Sequence, residues 1–362
     1  MTQDVIVIGG GLIGMLTARE LCLSGLKVTL LEQGGQVGQE SSWAGGGIIS
    51  PTYPWHYLDE INALTVWSHP RYRDLCQQLK DESGVDSEWT LSGLLILDIH
   101  NMSEAQRWAQ RWQMALEILD QSGLSQLEKD LKADFSAWLP EIAQVRNPRL
   151  VRALGISLRK LGVEIKEKTK VTGLLVRDQA ITAVVTQVES ITTDKVVIAG
   201  GAWSGQILAN IDVHLPVEPA RGQMIVFSGP PGLLSKIIVW RGYYLIPRQD
   251  GHILAGSTVE YVGFDKSTTK EALAELFNVA YTLVPALKSL PIKYQWAGLR
   301  PGSPQGVPCI SKHPWIKGLY INAGHFRNGI VAGPASARLL ADILLKRDPI
   351  LNPAPYALTA FM

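Results

Sequence analysis

Hydrophobic positions run unbroken near the N-terminus. Val5-Ile6-Val7-Ile8 is a β-branched block, the pattern of a strand buried on both faces. Gly9-Gly10-Gly11-Leu12-Ile13-Gly14 follows, then a helical stretch from Met15 to Leu23 that ends near Gly25. Lys27 to Glu32 reads as the next strand, so the chain opens with a βαβ unit. After a second glycine-rich patch, Ser41 to Ile49, Pro51 and Pro54 break the chain, and mostly helical spacing continues to about Leu139. There Ser103 reads as the N-cap of a helix over Glu104 to Gln121, which carries Trp108 and Trp112 as packing residues one turn apart. A helix near Arg149 to Leu161 precedes strands at 163–165, 171–176 and 181–188. Lys195 to Ala199 is another buried-strand run and leads into Gly200-Gly201-Ala202-Trp203-Ser204-Gly205.

From Pro216 to about Ile292 the pattern is that of a meander. Strands are predicted at 222–227, 237–247 and 253–262, interrupted by one amphipathic helix over about Lys270 to Leu287. A strand at 319–322 and a helix from about Ile330 to Leu345 close the chain. Nucleotide-type strand-to-helix turns therefore sit at both ends, with a different texture between them. The spacing predicts an α/β fold with α+β elements. A Rossmann-like half is drawn from residues 1–50, 145–215 and 293–362. A discontinuous substrate half, residues 51–144 and 216–292, contains an antiparallel sheet.

Composition narrows the function classes. With 362 residues, 46% hydrophobic and 19% charged, wholesale disorder is excluded and two domains are the expectation. Lys plus Arg number 34 against 33 Asp plus Glu, and the net charge of +1 comes without a basic block. That argues against nucleic acid or an anionic membrane as partner. Cys22, Cys76 and Cys309 form no CxxC pair, and the seven histidines include no close pair, so neither disulfides nor a bound metal is expected. Met1-Thr2-Gln3-Asp4 lacks a basic leader region, and the uncharged stretch from Val5 to Ala18 is short for a bilayer. A cytoplasmic protein is the expectation.

The strongest chemical signal is Gly9-x-Gly11-x-x-Gly14 between a strand and a helix, with Glu32 eighteen residues beyond Gly14. The glycines permit a tight turn and let backbone approach a pyrophosphate. The helix N-terminus favours the negative charge, and Glu32 can accept hydrogen bonds from a ribose diol. Two further segments invite close backbone approach: Ser41-Ser42-Trp43-Ala44-Gly45-Gly46-Gly47, and Gly324-His325-Phe326-Arg327-Asn328-Gly329 ahead of the last helix. An extended cofactor touched near residues 10, 45, 200 and 325 fits FAD better than a nicotinamide nucleotide. Packing remains an equal reading for His325 as the start of a helix.

With these segments the chain resembles the FAD-dependent amine and D-amino acid oxidase family along its whole length, and most of all its glycine-oxidising members. The resemblance rests on the Gly9 to Glu32 unit, Ala44-Gly45-Gly46-Gly47, Ala199 to Ser204, Arg221-Gly222-Gln223, Tyr244-Leu245-Ile246-Pro247-Arg248, Trp296-Ala297-Gly298-Leu299-Arg300-Pro301, and Gly324 to Gly329. It implies non-covalent FAD, held by Gly9, Gly11, Leu12, Ile13, Gly14, Glu32, Gln33, Ser41, Ser42, Ala44, Gly45, Gly46 and Gly47. Val171, Gly200, Trp203, His325, Arg327, Asn328, Gly329 and Ile330 complete that set. It implies that Arg300 and Tyr244 bind a substrate carboxylate, with Arg327 close to substrate and flavin.

The implied reaction is oxidative deamination of a small amino acid such as glycine, sarcosine or D-alanine, by hydride transfer to flavin N5. Dioxygen then yields hydrogen peroxide, and the imine is hydrolysed to glyoxylate and ammonia or used in thiamine-thiazole synthesis. Oxidases of this type are often homo-oligomers. Two positions depart from the family pattern: Gly242 stands where histidine is frequent and Val259 where methionine is common, both placed beside the substrate. A D-amino acid or sarcosine oxidase, a dehydrogenase using another acceptor, and a tRNA-modifying flavin module stay open as alternatives. The even charge speaks against the last of these.

Overall fold

The computed structural model describes residues 4–361, so Met1-Thr2-Gln3, on which the leader reading rests, lie outside the described residues. Val5–Ile8 occupies the middle of a six-stranded sheet and is buried at all four positions. It pairs in parallel with Val28–Leu31 on one side and Val196–Ile198 on the other. Glu164–Lys166 extends the sheet beyond the former, and Leu319–Ala323 beyond the latter. Cys309–Lys312 closes that edge antiparallel. The unbroken apolar runs belong where both faces are covered, as parallel sheets require. Helices Leu12–Leu23 and Gly329–Leu345 lie against each other over one face, and a β-carbon on Gly333 would stand 2.9 Å from Leu16 Cδ1.

A second sheet has eight strands in the order Ile292–Gly302, Glu218–Ser228, His252–Gly256, Tyr243–Pro247, Ile237–Trp240, Leu94–Leu97, Phe135–Leu139 and Glu117–Asp120. All neighbours are antiparallel except Leu94–Leu97 with Ile237–Trp240. The helix Lys270–Leu283 places Leu276, Ala280 and Leu283 in one core with Ile225, Phe227 and Leu245. A small sheet of Val171–Arg177, Ala180–Thr186 and Ser190–Thr192 stands beside the parallel sheet.

Several sequence expectations change here. The stretch from Pro51 to Leu139 carries the expected helices, Asp59–Ser68, Tyr72–Ser83 and Met102–Trp112 among them, but also the unforeseen strands Leu94–Leu97, Glu117–Asp120 and Phe135–Leu139. The helix expected to reach Gln121 is Met102–Trp112, with Gln113 in the left-handed region after it, and its cap is Asn101 rather than Ser103: Asn101 Oδ1 accepts from Glu104 N at 3.2 Å. The strand expected over 237–247 is a hairpin turning at Arg241 and Gly242, both with positive φ. The strand expected to reach Val262 stops at Gly256. Residues 292–302 pair with Glu218–Ser228, so the segment placed with the Rossmann-like half from 293 opens with a strand of the other sheet.

Candidate active site

A cleft of about 460 Å³ passes the C-terminal ends of the parallel strands at Ile8, Leu31, Ala199 and Ala323 and reaches the face of the eight-stranded sheet that carries Met224, Tyr244 and Arg300. The ends of parallel strands are where backbone amides and helix N-termini are free to meet a ligand.

At the first turn, Gly9 has φ of +112°, and a β-carbon on it would fall 2.3 Å from Ala199 O. Gly14 does not line the cleft. A β-carbon there would lie 1.9 Å from Gly9 O, so this glycine seats the helix on the turn instead of meeting a ligand. Glu32 is held by two amides, with Oε2 accepting from Gly10 N at 2.8 Å and Oε1 from Gly34 N at 2.6 Å. Burial pushes its carboxyl above the ordinary value, and these two bonds pull it back. Gln33 and Val171 line the same end of the cleft.

The short helix Ser41–Ala44 docks on that turn, where Ser42 Oγ accepts from Leu12 N at 2.8 Å. Gly45, Gly46 and Gly47 continue along the cleft wall. Gly47, at φ of +81°, accepts from Val145 N at 2.9 Å, and a β-carbon on it would lie 2.0 Å from Val145 O. Arg248 fastens the loop from behind, donating to Gly46 O at 2.9 Å, Val145 O at 2.9 Å and Gln144 Oε1 at 2.6 Å. Burial lowers its pKa to about 10. The sequence pattern around Arg248 points to no role for it, because its partners lie 103 or more residues away.

Gly200 and Trp203 lie on the next wall, and His325, Arg327, Asn328, Gly329 and Ile330 on the one after it, where the 17-residue helix Gly329–Leu345 begins. His325 and Asn328 are buried, and His325 Nε2 and Asn328 Nδ2 have no hydrogen-bond partner among the described residues. Burial pushes His325 down to about 3, so its ring is neutral. Arg327 Nη2 donates to Gly242 O at 3.2 Å.

Arg300 lies across the cleft on strand Ile292–Gly302, opposite Ala220. Nη1 donates to Thr258 O at 3.1 Å and Nη2 to Ser257 Oγ at 2.7 Å. Gly222 leaves the space beneath it, since a β-carbon there would lie 2.2 Å from Nη1 and Nη2. Burial draws the guanidinium pKa down, the Tyr244 phenol beside it raises it, and the Arg327 charge lowers it again. Tyr244 Oη also donates to Met224 Sδ at 3.6 Å. Ser257, Gly222, Met224 and Tyr57 line the cleft as well and were not singled out from the sequence as site residues.

The two departures from the family pattern are not cleft residues. Gly242 has φ of +85° in the hairpin turn, and a β-carbon there would meet nothing within 4 Å. Val259 is 40% exposed, because Thr258 and Glu260 on either side point inward to hydrogen-bond partners and an extended chain alternates. Neither position sets the size of the cleft.

A glycine-lined cradle at the ends of parallel strands, with Arg327 at its helix end and Arg300 and Tyr244 facing it from a second sheet, is the arrangement of a flavin-dependent oxidoreductase. The FAD dependent oxidoreductase family matches residues 4–343, and the chain belongs to that family. Glycine oxidase of Pseudomonas aeruginosa is 46% identical over 360 residues, covering 99% of each chain. The bifunctional protein ThiO/ThiG of Nostoc sp. is 30% identical over 99% of this chain and 55% of its own length. The crystal structure of glycine oxidase from Geobacillus kaustophilus matches with a TM-score of 0.94 at 25% identity, over 100% of this chain and 99% of that one.

The residues present fit FAD. Two helix N-termini and two close-packed glycine turns meet one cleft, and two buried polar atoms are left for a ligand to satisfy.

Proposed function

We propose that the protein is an FAD-dependent glycine oxidase, acting on glycine and on small relatives such as sarcosine and D-alanine. The observation that carries this reading is the placement of Arg300 and Tyr244 on the wall of the same cleft that Gly9, Glu32 and Gly45 line. A planar guanidinium with unused N–H donors is matched to a carboxylate. FAD would lie along Gly9–Ile13, Glu32, Ser41–Gly47, Gly200, Trp203 and His325–Ile330, and it supplies a two-electron acceptor that dioxygen restores with release of hydrogen peroxide.

The chain's own work is then orientation. Arg300 and Tyr244 hold the carboxylate, which directs the α-carbon toward the cradle, a proximity effect. The positive end of the helix Gly329–Leu345 favours negative charge developing beside it. His325, neutral at working pH, adds no charge and can share a hydrogen bond. Cys22, Cys76 and Cys309 are absent from the cleft lining, which supports non-covalent FAD. The two large sheets support a division into a cofactor unit and a substrate unit, with 292–302 counted in the second. The ThiO/ThiG relative supports delivery of the imine product to thiazole synthesis. Purified protein supplied with glycine in air should release hydrogen peroxide together with glyoxylate and ammonia. Absence of peroxide with glycine, sarcosine and D-alanine alike would refute the proposal.

A further inference from the structure

We propose that Ser257 is a positioning residue for substrate binding: its hydroxyl, with the Thr258 carbonyl, aims the Arg300 fork into the cleft. The proposal rests on the reading of Arg300 as the carboxylate ligand. A guanidinium carries five N–H donors. One on Nη2 goes to Ser257 Oγ and one on Nη1 to Thr258 O, Tyr244 is a further hydrogen-bond partner, and the donors that remain serve a ligand. Both contacts come from the same chain segment, 43 and 42 residues from Arg300. Gly222 lies beneath the plane, so the side chain is bounded below and along one edge while its remaining donors stay open.

The segment that aims Arg300 is itself braced. Thr258 Oγ1 accepts from Gln223 N at 3.0 Å and donates to Glu260 Oε1 at 2.6 Å. Glu260 also accepts from Arg221 Nη2 at 2.6 Å and Gln223 Nε2 at 2.9 Å, and its backbone pairs with that of Arg221 at 2.8 and 2.9 Å. Arg221 is buried and reaches Asp265 at 2.6 Å on its other nitrogen. These groups tie 257–260 to the strand Glu218–Ser228, the strand that also supplies Gly222. The segment is thus held at fixed height over the guanidinium. Loss of the Ser257 hydroxyl frees one edge of the fork and leaves the brace, which runs through Thr258 and Glu260, in place. The effect belongs in carboxylate affinity and not in the chemical step.

The test uses holoenzyme carrying Ser257→Ala, Ser257→Thr, Arg300→Ala or no change. Two quantities are read: KM and kcat for glycine, and the dissociation constant of glycolate followed through the flavin absorbance. Ser257→Ala should raise both KM and the glycolate constant about five- to tenfold, the net worth of one ordinary hydrogen bond, with kcat within about twofold. Ser257→Thr, which keeps the hydroxyl, should restore most of that loss. Arg300→Ala should weaken glycolate further still. Unchanged glycolate affinity in Ser257→Ala beside a large loss in Arg300→Ala overturns the positioning role alone. Unchanged affinity in Arg300→Ala overturns the carboxylate assignment on which it rests.

Discussion

The Arg300 guanidinium rests against Gly222, so closely that a β-carbon on the glycine would stand 2.2 Å from both terminal nitrogens. Gly222→Ala therefore has two ways to relieve the overlap, moving backbone or moving the far end of a flexible side chain, and the second is far easier. Arg300 should swing away while the sheet stays intact. We expect kcat/KM for glycine to fall at least about tenfold, equivalent to about 1.4 kcal/mol, with little change in Tm or in bound FAD. A variant that lost stability and kept its kinetics would contradict this account of the pair.

Gly14→Ala should behave in the opposite way. The atom its β-carbon would meet is the backbone oxygen of Gly9, at 1.9 Å, and no side chain can yield. The turn under the cofactor cradle must shift, at a cost of about 1–3 kcal/mol. Thermal melting with and without added FAD should show lower stability and weaker FAD binding.

Why one glycine was legible in the sequence and the other was not is a matter of range. Gly14 belongs to a local pattern in which strand, turn and helix are consecutive, so spacing alone exposes it. Gly222 matters because Arg300, opposite its neighbour Ala220 in register, folds back over it, and nothing within a few residues records that. The same holds for Arg248, whose partners at 46, 144 and 145 are remote. Leu94–Leu97 was hidden differently: four consecutive buried residues carry no alternation, and the helical segments around them set the reading. Glu117–Asp120, half exposed at a sheet edge, offers no periodic signal at all.

His325 carries a pH prediction. Burial lowers its pKa from 6.5 to about 3, so in the fold it stays neutral while the unfolded chain takes up a proton below 6.5. The unfolded state then binds more protons, and this residue's contribution to stability falls as pH drops, by up to about 1.4 kcal/mol per pH unit. Replacing His325 with Gln removes that share. Urea unfolding at about pH 6.5 and about pH 4.5 should show a smaller loss for His325→Gln than for the parent. Equal losses would mean that the imidazole is protonated in the fold.

Flavin should leave the protein on acid precipitation. Cys309 is 1% exposed and lies in the edge strand Cys309–Lys312 beside Ser311 Oγ at 3.6 Å, and burial pushes its thiol up to about 12. It is neither placed nor ionised for attachment to a ring in the cleft. The supernatant should be yellow and contain intact FAD; colour retained in the pellet would show a covalent link.

The central claim is that one cleft holds FAD and, through Arg300, the carboxylate of glycine. The most direct test is anaerobic mixing of holoenzyme with glycine while the oxidised flavin absorbance is recorded, in parent and Arg300→Ala protein. The parent should bleach fully with a rate that saturates in glycine, and admission of air should restore the colour with stoichiometric peroxide. Arg300→Ala should bleach at least about thirtyfold more slowly at low glycine, the lower bound for an unpaired carboxylate. A parent flavin that glycine does not bleach, or equal rates in the two proteins, would contradict the account.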